Sequence, residues 1–221
     1  MLYCGIPSVN LKHYLIQTLE SIRTSSGIKI LLVDNMSTDG TREWIQQSGH
    51  EHILNPSNYG VARAWNQVIY WGMSHDDCDI IYILNNDIVL HPEAMDLMTE
   101  SVMVGGKEAI SGVNVGSSPS MLGGMRPESR YSPSINFCCF GLTPKTVKRV
   151  GFFDEGFKLA YFEDNDYHCR MNLEGIDGSC DMWAQFSHYG SRTIKEGGVS
   201  HGSQFTENKN YFKSKWGFDP A

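Results

Sequence analysis

This chain of 221 residues is marked first by what it lacks or has little of. No apolar run approaches the roughly 20 residues that a membrane-spanning helix needs, so no span is expected. Its six cysteines, Cys4, Cys78, Cys138, Cys139, Cys169 and Cys180, form no C-x-x-C pair. Two of them are neighbours inside the apolar stretch INFCCFGL, so buried reduced thiols are expected in place of a zinc or disulfide framework. Positive charge is in deficit. Lys and Arg number 18 against 25 Asp and Glu, a net charge of −7, which argues against a broad basic face for nucleic acid. The opening residues MLYCGIPSVN carry neither the basic n-region nor the cleavage site of a signal peptide, and a cytoplasmic location is expected. No internal repeat appears, and no shift in composition marks a second independent domain.

What is present is an alternation of strand and helix. LYCGIP, IKILLVDN, HILN, DIIYIL and AISGVNV read as strands, and those in the first half are continuously apolar, as strands covered on both faces should be. Between them lie helical patterns. NLKHYLIQTLESI has Leu11, Leu15, Leu19 and Ile22 at helical spacing, with Asn10 placed as an N-cap. STDGTREWIQQSG stops at Gly49. GVARAWNQVIYWGM turns Ala62, Trp65, Ile69 and Met73 inward, and HPEAMDLMTESV has Pro92 near its start. This order predicts an α/β fold with an open, mostly parallel sheet and helices on both faces. The second half is less regular. GSSPSMLGGMRPESRYSPS reads as a mobile loop. INFCCFGL is a strand, TPKTVKRVG a short helix, YFEDNDYHCRMNLEG a helix, DMWAQFSHYG a strand and TENKNYFKSKWG a terminal helix.

The segment YILNNDIVL poses the central question. An apolar strand runs into Asn85-Asn86-Asp87, residues that strands disfavour, and an ionised aspartate in a core is costly unless paired or bound to metal. Ligands of open α/β sheets bind at the carboxyl ends of the strands. The first strand ends at Pro7-Ser8, the second at Asp34-Asn35 and the fourth at Asn85-Asn86-Asp87. In a parallel sheet these ends share one rim, which places Asp34 and Asp87 on the same edge.

These residues resemble glycosyltransferase family 2 and its GT-A fold. LLVDNMSTDGT is similar to that family's V-D-[ND]-x-S-x-D-G-T motif, and NYGVARAWNQVI to N-x-G-x-A-x-A-x-N. YILNNDIVL stands where its D-x-D motif stands. GFFDEGFKLAYFEDNDYHCRMNLEG is similar to its G-x-F-D-E-x-F…E-D-x-D segment, and FSHYGS to a later H-x-G-S. The resemblance implies a GT-A type fold: a Rossmann-like central sheet with a smaller acceptor-side subdomain. It implies one domain over residues 1–221, with a nucleotide-sugar half at 1–115 and an acceptor and catalytic half at 116–221.

It also implies roles. The donor would be a nucleoside-diphosphate sugar, with a UDP-type donor favoured. Pro7 and Asp34 would hold base and ribose, and Asn58, Arg63, Asn66, Asn85 and Asn86 would line the nucleotide cleft. Asp87 would bind Mn2+ or Mg2+, with His188 or His201 completing that site. Asp164 would be the general base, supported by Glu163 or Asp166, in an inverting displacement. These roles suit the chemistry. A divalent cation neutralises charge building on a leaving diphosphate, hard cations take carboxylate oxygen, an imidazole ligand tilts the choice toward Mn2+, and a carboxylate can take the acceptor's proton as the new bond forms. The chain departs from the family at Asn85, an amide in place of the first D-x-D aspartate. It brings no charge, so weaker metal binding is expected. The acceptor stays open: a glycan, protein, small molecule or modified base. A sugar nucleotidyltransferase would need a basic Gly-rich loop after the first strand, where only Lys12 stands. A non-catalytic nucleotide-sugar or carbohydrate-binding module is favoured by Asn85 alone.

Overall fold

The computed structural model describes residues 1–190 and 202–220. The first half alternates as the pattern predicts: β1 (Leu2–Ser8), α1 (Lys12–Ser21), β2 (Ile28–Asp34), α2 (Thr41–Gln47), β3 (Glu51–Leu54), α3 (Val61–Met73) and β4 (Ile80–Leu84). Then follow β5 (Ile88–Leu90), α4 (Ala94–Met103), β6 (Ala109–Asn114), β7 (Tyr131–Ser132), β8 (Cys139–Leu142), α5 (Pro144–Val150), α6 (Glu163–Leu173), β9 (Ser179–His188) and α7 (Gly202–Trp216). The strands form one sheet in the order β3-β2-β1-β4-β8-β6-β9-β5, with β7 also on β9. The four strands from β3 to β4 are parallel, as is β6 on β9; β8, β5 and β7 pair antiparallel. Among the described residues no helix is long and apolar enough to cross a membrane.

The strand side chains divide the core in two. Leu2, Cys4 and Ile6 of β1 and Ile80, Tyr82 and Leu84 of β4 face one layer, with Leu15 of α1, Ile45 of α2 and Met95 and Met98 of α4. Ile81 and Ile83 of β4 face the other, with Trp65, Val68 and Ile69 of α3, Val147 of α5 and Tyr167 and Met171 of α6. The two-residue strand period and the 3.6-residue helix period produce this division directly. Close approach of α3 to β1 requires a glycine: a Cβ on Gly5 would stand 2.3 Å from a Val68 methyl carbon.

Two details differ from the sequence reading. Asn10 does not cap α1. Leu11 occupies that position with φ 64°, and the Asn10 side chain instead accepts from the Thr38 N–H at 2.7 Å, tying the two loops at the sheet rim together. The stretch after β6, read as mobile, is laced to β9. The Gln185 side chain accepts from Gly123 N and donates to Gly124 O, Met182 N donates to Arg130 O, and Arg130 pairs with the buried Asp181 at 3.0 Å. Its Gly, Ser and Pro content reflects turn geometry, while the order comes from partners some fifty residues or more along the chain.

Candidate active site

Strand register builds the first half of the site. Ile88 of β5 pairs with His188 of β9, so Asp87, one residue earlier, meets the end of β9, and Tyr189 N donates to Asp87 O at 3.0 Å. The result is a pair with His188 Nε2 3.0 Å from Asp87 Oδ1, Asp87 being nearly fully buried. Burial disfavours the imidazolium of His188, but hydrogen bonds to Asp87 and Cys138 outweigh it, and its pKa is pushed up to about 10. The carboxylate that follows the apolar strand β4 is therefore paired. It faces a cleft of about 200 Å³, lined also by Pro7, Ser8, Asn35, Asn58, Asn85 and Asn86. The Ser8 hydroxyl is buried on this wall and has no hydrogen-bond partner among the described residues. Asn35 is held rigid, donating to Asn58 Oδ1 and Gly60 O and accepting from Asn55 and Tyr59.

A second cavity, of about 480 Å³, adjoins the first and shares Val61, Trp65, Asn85, Ala160 and Tyr161 with it. Its far wall carries Glu163 and Asp164 at the start of α6, facing Asn136, Phe137 and Cys138. Pairing of β4 with β8 brings this wall close, Asn85 N donating to Cys138 O at 2.9 Å. Burial, then the neighbouring Asp164, pushes the Glu163 pKa up to about 8, and one oxygen of its carboxyl has no partner among the described residues. Burial also raises the pKa of Asp164, against the opposing hydrogen bond from Asn165 N. Acids tuned upward in a cavity suit proton transfer near neutral pH.

The segment that walls the two cavities, residues 159–162, is strained. Leu159, Tyr161 and Phe162 have φ of 58°, 84° and 72°, a region that side chains other than glycine's enter at a cost of roughly 1–3 kcal/mol each and that clusters at functional sites. Gly60, the residue before α3, meets it with φ of 85° and Leu159 N at 2.8 Å from where a Cβ would stand. Val61 N donates to Leu159 O at 2.7 Å.

Of the residues singled out from sequence, Pro7, Asn58, Asn85, Asn86, Asp87 and His188 line the first cleft and Glu163 and Asp164 the second. Four stand elsewhere. Asp34 is fully buried behind the wall, paired with Arg42 at 2.6 Å and accepting from Ser37 N. Asn66 is a clamp: its amide exchanges hydrogen bonds with both N and O of Phe153 and donates to Glu155. Arg63 is exposed and lies 4.0 Å over the Tyr59 ring. Asp166 is buried against Arg170, Lys215 and Trp216. His201 lies outside the described residues. The motifs assigned no role to Trp65 or the 159–161 wall, nor to Ser8 and Asn35, which the rim argument had nevertheless placed at the ends of the first and second strands.

Asp87 and His188 form a donor set of one carboxylate and one imidazole. Among the described residues no group of three His, Cys, Asp or Glu side chains gathers as a metal site. A divalent cation here would take from the protein one carboxylate oxygen and one imidazole nitrogen, the latter only once His188 Nε2 gives up the proton it shares with Asp87, and would need phosphate oxygens and water for the rest of its shell.

Solved structures with the GT-A fold superimpose on this chain. A mannosyltransferase from Pyrobaculum calidifontis in complex with GDP-Man and Mn2+ matches over 81% of this chain and 53% of its own, at 16% identity and TM-score 0.58. GalNAc-T7 with UDP, GalNAc and Mn2+ matches over 85% of this chain and 43% of its own, at 10% identity and TM-score 0.67. Staphylococcus aureus TarS 1–349 matches over 98% and 74%, at 12% identity and TM-score 0.61. The family model for glycosyl transferase family 2 matches residues 3–167, and the chain belongs to that family. A galactofuranosyl glycosyltransferase of Leishmania donovani is 33% identical over 73 residues, which are 33% of this chain and 17% of that protein. The chain thus spans about half the length of the mannosyltransferase and a small part of the curated relative.

Proposed function

We propose that this chain moves one sugar from a nucleoside-diphosphate sugar to an acceptor hydroxyl, inverting the anomeric centre. The observation that carries the reading is the junction of the two cavities at Asn85, Trp65 and Tyr161, with Asp87 and His188 on one side and Asp164 on the other. The donor's base and ribose occupy the rim near Pro7, Ser8, Asn35 and Asn58, within residues 1–115. Asp34 acts from behind this wall, its bond to Ser37 N fixing the turn after β2. Asp87 and His188 would hold Mn2+ or Mg2+, whose chemistry there is to neutralise charge on the departing diphosphate. Asp164 Oδ takes the proton of the acceptor hydroxyl as its oxygen bonds to the anomeric carbon and the carbon–oxygen bond to the diphosphate breaks. Glu163 is mostly protonated at pH 7, so only one of these two neighbouring acids needs to carry charge in the low-dielectric cavity. UDP-type donors are the first choice; the galactofuranosyl relative adds galactofuranosyl donors to the panel.

The test is turnover of UDP- and GDP-sugars, galactofuranosyl donors included, with and without Mn2+, and the anomeric configuration of the product by NMR. Asp164→Asn is expected to lower turnover by about 10²–10⁴-fold with donor affinity nearly unchanged, because a base acts only in the transition state. A retained configuration, or near-normal turnover in Asp164→Asn, overturns the reading. Tight donor binding without any turnover would favour the second reading, a binding module, for which the uncharged Asn85 speaks.

A further inference from the structure

The family match ends at residue 167, and α7 (Gly202–Trp216) lies beyond it. One α7 side chain reaches the wall shared by the two cavities. Asn208 is 2% exposed. Its Oδ1 accepts from Lys158 N at 3.0 Å, and its Nδ2 donates to Lys158 O at 2.7 Å and Ala160 O at 2.9 Å, with Tyr161 O at 3.3 Å. One amide thus engages four backbone groups of a segment in which Leu159, Tyr161 and Phe162 all hold positive φ. The neighbouring turn of α7 adds Phe205, whose ring lies 5.2 Å from that of Tyr161 and 5.0 Å from that of Phe162. The opposite side of the segment rests on the start of α3 through Val61 N and Gly60. A strained backbone persists only where its surroundings over-determine it. Here the surroundings include α3, within the family match, and Asn208, outside it.

We propose that Asn208 is a positioning residue: its amide holds residues 158–161 in the conformation that walls both cavities, so α7 sets the affinity of the donor site. The identity of the ligand rests on the function proposed above; the holding of the wall does not. Asn208 touches neither cavity, so its effect reaches the ligand only through Leu159, Ala160 and Tyr161.

The experiment compares Asn208→Ala with Lys215→Met in the full chain. Lys215 anchors α7 to Asp154 and Asp166, both at 2.7 Å, away from the wall. Thermal unfolding, calorimetric affinity for UDP and GDP with Mn2+, and amide hydrogen exchange are measured for each. Asn208→Ala is expected to weaken nucleotide binding about tenfold, the loss when the competent wall is populated about a tenth of the time. It is also expected to speed exchange of the Val61 N–H, a group Asn208 does not touch, by about tenfold or more. Lys215→Met is expected to lower the unfolding temperature with both readouts within about twofold of wild type. If Asn208→Ala does not fold, Asn208→Ser, which keeps a small polar side chain too short to span the four backbone groups, carries the same expectation. Unchanged Val61 exchange in the folded Asn208 variant overturns the proposal, as does unchanged nucleotide affinity. A wild-type protein that binds neither nucleotide overturns the functional reading, and the exchange result then decides this one alone.

Discussion

Glu163 ties stability to pH in a way that can be worked through. Its carboxyl is buried, one oxygen lacks a partner among the described residues, and its pKa is raised from the ordinary 4.5 to about 8. Between these two values the folded state binds more protons than the unfolded state, so stability must fall as pH rises. The contribution is fully present below about pH 4.5 and is lost by the time pH passes about 8. At about 1.4 kcal/mol per tenfold change in proton affinity, the ceiling is about 5 kcal/mol. Relaxation and water entry at the cavity mouth reduce it, and a fall of about 2–4 kcal/mol is expected. Glu163→Gln keeps shape and hydrogen-bonding capacity but cannot ionise. Urea unfolding at pH 5, 6, 7 and 8 should show wild-type stability declining across the series and the variant declining less by that amount. Near pH 5 the two should be similar, and at pH 8 the variant should be the more stable. Parallel pH dependences would refute the reasoning, because they would mean that the Glu163 carboxyl finds solvent or a partner when it ionises.

Two further predictions follow from the other carboxylates. Asp87→Asn should abolish Mn2+-dependent binding of UDP or GDP, measured by calorimetry with and without chelator, and an affinity indifferent to both would remove the metal role from Asp87. Asp34→Ala should destabilise the fold by about 2–3 kcal/mol in urea, since the removed carboxylate leaves Arg42 unpaired, though partly exposed to water; an unchanged unfolding midpoint would show that the pair contributes nothing.

The order of motifs and the apolar periods along the chain were enough to predict the α/β sheet, its parallel half and the family, and they singled out Asp87, Asn85 and Asp164, which line one or other of the two cavities. These are local matters. Strand ends and helix starts are written in ten or so neighbouring residues, and a parallel sheet brings its carboxyl ends to one rim whatever the loops do. The tertiary structure decided which polar residues face the cavity and which face one another. Asp34 and Asp87 both end apolar strands, yet one pairs with Arg42 behind the wall and the other with His188 on it. Asn66 and Asn58 belong to one motif, yet Asn66 is spent on Phe153, 87 residues away. Asp164 and Asp166 are two residues apart at the start of α6, and the 100° turn per residue of a helix sends one to the cavity and the other to Arg170 and Lys215. A carboxylate's role depends on which cation or hydrogen-bond donor arrives beside it, and those arrive from strands and helices far along the chain, by registers that no short stretch of sequence encodes.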